Sequence, residues 1–148
     1  MTHRAVFRGA LTVLVADLAL LLAGAGALEW DLLPGAAYFP LGTLVAWTAI
    51  CALPLLVYTG RGSLRRPVTG WDRAVALLLR ALIVWGAVWG VLAYLALGNW
   101  ALNFEAGISH GEISSTFWLM TALAVLLPLP LLVLHALVAW IMRRRRAA

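Results

Sequence analysis

TGRGSLRRPVTGWDR, Thr59–Arg73, packs four arginines into fifteen residues and lies between two long apolar runs. The runs cover roughly 41–58 and 74–97. Moving outward, two more follow at roughly 7–28 and 116–142. A helix needs about 20 apolar residues to cross a bilayer, and these runs have that scale. They are rich in Leu, Ala and Val and lack the every-second-residue alternation of barrel strands. The 148-residue chain is 64% hydrophobic and 11% charged. Soluble domains average about half apolar and about a quarter charged, and a core this small is mostly skin. The expected fold is therefore an all-α polytopic membrane protein: one domain over 1–148, four transmembrane helices in an up-down bundle.

The arginine loop also orients the chain. Arg61, Arg65, Arg66 and Arg73 sit between the second and third runs, Arg4 and Arg8 precede the first, and Arg143–Arg146 follow the fourth. The other two connections contain no Lys or Arg but hold Glu29, Asp31, Glu105 and Glu112. Basic loops stay in the cytoplasm, which puts both termini there and predicts a multi-pass protein of the bacterial inner membrane. The net charge of +5 lies beside apolar runs, so it argues for topology and against nucleic acid. Arg143, Arg144, Arg145 and Arg146 are expected to contact anionic lipid and to hold the C-terminus inside. Arg4, Arg8 and Ala25-Gly26-Ala27 also fit a signal peptide, but Asp17 interrupts its apolar centre. The segment is taken as a retained helix.

Trp30, Trp100 and Trp118 fall at the expected outer boundary and Trp71 and Trp140 at the inner one, where amphipathic rings settle. Trp47, Trp85 and Trp89 lie deeper. Trp100, Phe104 and Ile108 are four apart, which suits either a short interfacial helix or an irregular loop. Gly24, Gly86 and Gly90 are expected at close helix contacts. Pro54, Pro128 and Pro130 fall inside apolar runs and are expected to bend them.

Three ionisable residues lie within the runs: Asp17, Arg80 and His135. Counting from the flanking arginines places them roughly 13, 10 and 12 Å deep at 1.5 Å per residue. Similar depth predicts a shared polar cluster, with Arg80 and His135 meeting Asp17. It would serve as structural cement or as an ion or proton relay. An alternative has Arg80 snorkelling to the inner interface. On this reading Trp89, opposite Arg80 on its helix, faces lipid. Cys51 is single and is expected to act as a small hydrophobe.

His135 is the only histidine within a run, so a haem or pigment would have to be shared with a partner chain. Glu105, His110 and Glu112 match no zinc spacing, even together with Glu29 and Asp31. Ser114, Ser115 or Thr116 suits the cap of the fourth helix. No nucleophile–base pair or phosphate loop is present. The expected role is a small non-catalytic subunit or accessory protein of a larger inner-membrane complex, respiratory or transport. Its partners are the bilayer and other integral membrane subunits. The alternative is a self-contained oligomeric transporter or channel in which Asp17 and His135 carry protons.

Overall fold

The described residues form seven helices. The computed structural model describes residues 2–33, 39–97 and 111–147. Trp100, Phe104, Glu105, Ile108 and His110 lie outside the described residues, as do the side chains of Glu112, Ser114, Ser115, Trp118 and Arg146.

Helix α1, His3–Ala23, starts at Thr2, whose Oγ1 accepts from the Ala5 N–H at 3.4 Å. It ends at Gly24, the one described residue with positive φ (+97°), and a single turn, α2 (Ala25–Leu28), follows. Helix α3 is Leu41–Gly60, α4 the turn Gly62–Arg65, and α5 Gly70–Leu97. Helices α6 (Gly111–Leu126) and α7 (Pro128–Ala147) complete the chain. α1, α3 and α5 are each long and apolar enough to cross a membrane, and α6 with α7 makes a fourth span bent by 45°.

The bend falls where the sequence removes backbone donors. Pro128 and Pro130 have no N–H, so the carbonyls of Ala124 and Leu126 lose their intrahelical partners, and the rings crowd the preceding turn. Pro54 has the same chemistry but lies within an unbroken α3. α5 begins at Gly70, ahead of the expected 74, because Thr69 and Asp72 cap it.

α3 and α5 run side by side and form the centre. α6 and α7 pack across both, whereas α1 packs on α3 and α2 and, among the described residues, touches none of α5, α6 or α7. A closed bundle of four equivalent rods is therefore not what these contacts describe. The start of α1 and the end of α3 share one cleft; the α3–α5 connection and α7 share another. The arginine-bearing ends thus gather at one end of the molecule.

Two glycines set the α3–α5 distance. A Cβ on Gly86 would stand 3.0 Å from the backbone of Ile50 and Cys51, and one on Gly90 would fall inside the Trp47 ring. Trp47 in turn donates its indole N–H to the Gly86 carbonyl at 2.8 Å. Gly24 has nothing within 4 Å of such a position, so it serves the chain break between α1 and α2 and not helix packing. Trp89 reverses another expectation. It is fully buried, lies between Trp47 and Phe117, and donates to Thr121 Oγ1 at 2.8 Å. Its ring faces the core, and the opposite side of α5 carries Arg80 outward.

Gly90→Ala is expected to destabilise the protein by about 1–3 kcal/mol, the usual cost of overpacking. Thermal unfolding in mild detergent measures this, and Gly90→Ala should cost less in a Trp47→Leu background than in the wild-type chain. Equal stability of Gly90→Ala and wild type would contradict the close approach.

Candidate functional site

Asp17, Arg80 and His135 do not meet. Each finds a partner of its own, and the reason lies in the arrangement of helices. Asp17 is on α1, which touches neither α5 nor α7, so depth alone cannot bring it to Arg80 or His135.

Asp17 is 7% exposed and turned towards α3. Thr48 Oγ1 lies 2.9 and 3.1 Å from its two carboxylate oxygens. The same hydroxyl is 2.9 Å from the Leu44 carbonyl and 3.1 Å from that of Val45. A hydroxyl has one proton to give, so these acceptors share it. Among the described contacts Asp17 is thus held by a single hydroxyl.

His135, on α7, is 2% exposed, and its Nε2 lies 2.7 Å from Asp72 Oδ1. Asp72 uses its other oxygen at the start of α5. Oδ2 accepts from the Thr69 N–H at 3.1 Å and from its Oγ1 at 2.8 Å, while Thr69 Oγ1 accepts the Asp72 N–H at 3.0 Å. This is a capping box, reciprocal between a Thr and the acid three residues on. One carboxylate therefore caps α5 and ties α5 to α7. Composition and depth had left Asp72 with the loop. The pattern Thr-x-x-Asp ahead of an apolar run is the signal that could have found it. His135 Nδ1 is buried without a hydrogen-bond partner.

Arg80 is exposed and reaches Tyr58 on α3. Its Nη2 and Nε donate to the phenol oxygen at 2.7 and 3.1 Å, and its Cζ lies 5.3 Å from the ring centroid. Tyr58 also lines a cleft with His3, Arg65 and Arg66 at the arginine-bearing end. The guanidinium is thus held by a tyrosine that also lines this cleft.

Beyond α7's last apolar turn, Arg144 stacks over Trp140 with Cζ 4.2 Å from the ring centroid, and Arg143 Nε donates to the Ala139 carbonyl at 3.3 Å. Arg143, Arg144 and Arg145 are all exposed. At the other end of α1, Asp31 Oδ1 accepts from the Leu33 and Phe39 N–H groups at 3.1 and 3.0 Å, and the Leu41 N–H bonds the Trp30 carbonyl at 2.8 Å. These bonds pin the two ends of the α2–α3 connection together.

The chain matches no family model, no curated protein and no solved structure. What the structure defines is a class: an all-helical protein with three or four helices apolar enough to span a membrane. The polar groups Asp17, Arg80 and His135 on its apolar helices are paired separately.

The two kinds of polar contact should differ in weight. Asp72→Ala removes a cap and strands His135, and is expected to cost about 3 kcal/mol or more. Arg80→Gln, at an exposed site, is expected to cost under about 1 kcal/mol. Unfolding in mild detergent ranks them; the reverse order would show that Arg80, not Asp72, anchors the fold.

Proposed function

We propose that this protein is a non-catalytic subunit or accessory protein of a larger complex in the bacterial inner membrane. In that reading four spans alternate direction and both termini are cytoplasmic. The uneven use of α1 carries the proposal. Only Ala10 and Asp17 of this helix are buried, while Leu11, Val13, Val15, Leu18, Leu21 and Leu22 are all exposed. A spanning helix braced on one side offers its remaining apolar surface to lipid or to another membrane helix. The partners are accordingly the bilayer and other integral membrane subunits.

Separation of the polar groups supports the same reading over the transporter. A proton path through Asp17 and His135 needs the two to communicate, yet their helices do not touch. Asp17 bonds Thr48 and His135 bonds Asp72, and each contact fastens two neighbouring helices. Such contacts hold register.

Purification of the tagged chain from its native membrane in mild detergent should bring other integral membrane proteins at fixed stoichiometry. Asp17→Asn keeps a group able to bond Thr48, so it is expected to change stability by less than about 1 kcal/mol. Reconstituted alone, wild type and Asp17→Asn should conduct protons equally poorly. A pure homo-oligomer whose proton flux is abolished by Asp17→Asn would replace this proposal with the transporter.

A further inference from the structure

The arginine-bearing end holds a cleft that positive-inside topology does not account for. It has a volume of about 520 Å³ and lies between the start of α1 and the end of α3. Arg4 and Arg8 enter it from α1 and Arg65 from α4. No carboxylate lines it. Three guanidinium groups therefore face one space without a counter-charge, and Arg65 Nε is buried with no hydrogen-bond partner. Thr59 also lines the cleft, but its hydroxyl is 2.7 Å from the Leu55 carbonyl, to which it donates. The free donors are thus chiefly guanidinium, and guanidinium pairs best with phosphate or carboxylate oxygens.

His3 also lines the cleft, and the rest of it is apolar. Phe7 and Leu11 line it, and Gly60 lets Phe7 lie against the end of α3, since a Cβ there would stand 3.1 Å from the ring. Leu11 opens onto a track. Arg4, Arg8, Leu11, Val15, Leu18 and Leu22 follow a three-and-four spacing, which puts them along one side of α1. All four apolar members are exposed, from 44% at Leu11 to 80% at Leu22. The stripe from Leu11 to Leu22 is about 16 Å long at 1.5 Å per residue, a length suited to an acyl chain.

We propose that this cleft is a site for one anionic phospholipid. Its phosphate lies among Arg4, Arg8 and Arg65, and an acyl chain follows Leu11, Val15 and Leu18 along α1. Charge at the head and an apolar stripe leading from it match a lipid, whereas a free phosphate has no use for the stripe. The site rests on α1 lying in a membrane but not on the subunit reading, since a transporter would hold the same lipid.

Native mass spectrometry of the full-length protein tests this with added phosphatidylglycerol or phosphatidylcholine. One phosphatidylglycerol per chain should be retained in preference to phosphatidylcholine. Arg4→Gln with Arg8→Gln should weaken retention about tenfold or more, given the contribution of each arginine near anionic lipid. Arg73→Gln, at an exposed arginine outside the cleft, should leave it nearly unchanged. Circular dichroism confirms that the variants are folded. A photoreactive phosphatidylglycerol should label the wild-type protein on α1 near Phe7 and Leu11, a readout that needs no variant. Equal retention of both lipids, labelling confined to α7, or displacement by millimolar inorganic phosphate would each overturn the assignment.

Discussion

Two absent side chains govern this molecule. Gly86 and Gly90 let α5 approach α3 until the backbone of one helix lies against the backbone and an indole of the other. In lipid there is little hydrophobic drive to bring helices together, so close packing and interhelical hydrogen bonds must hold them. The bond from Trp47 to the Gly86 carbonyl uses both. Once that contact is fixed, the azimuth of α5 is fixed with it. Trp89 turns into the core against Phe117 and Thr121, Asp72 turns towards α7, and Arg80 is left on the outside beside Tyr58.

The polar groups then follow a local logic. A buried acid without a partner is costly in an apolar surround, and the nearest hydroxyl or imidazole relieves it. Thr48 does so for Asp17 from the neighbouring helix. Asp72 needs no dedicated partner, since the capping Thr69 and His135 share its two oxygens. These contacts join α1 to α3 and α5 to α7.

Much of the chain's organisation was legible before any coordinates. Apolar length marked the spanning helices, and Gly86-x-x-x-Gly90 marked the tight contact. Pro128 marked the bend, although a bent span and a break look alike in a string of letters. Relative height was not legible, because residues count out distance along one helix but not how one helix slides against the next. Rotation about the helix axis and the order of helices in space were not legible either. Asp17 and Arg80 do not even share a level, since their partners Thr48 and Tyr58 are ten residues, or about 15 Å, apart along α3. Trp89 was misplaced for a related reason: an aromatic deep in an apolar helix suits lipid or core equally, and the face that the glycines of its own helix turn to α3 decides. Asp72 was overlooked because it sits beside arginines and reads as part of a charged loop.

The Asp17–Thr48 bond carries a consequence for biogenesis. The two residues are thirty-one positions apart, so the acid leaves the ribosome well ahead of the group that satisfies it. At typical synthesis speeds of 5–20 residues per second the interval is roughly 2–6 s. During that time the nascent first segment holds a carboxyl group with no protein hydroxyl to meet it. For a first helix that spans a membrane, this favours entry together with the second segment as a hairpin over entry as two independent rods.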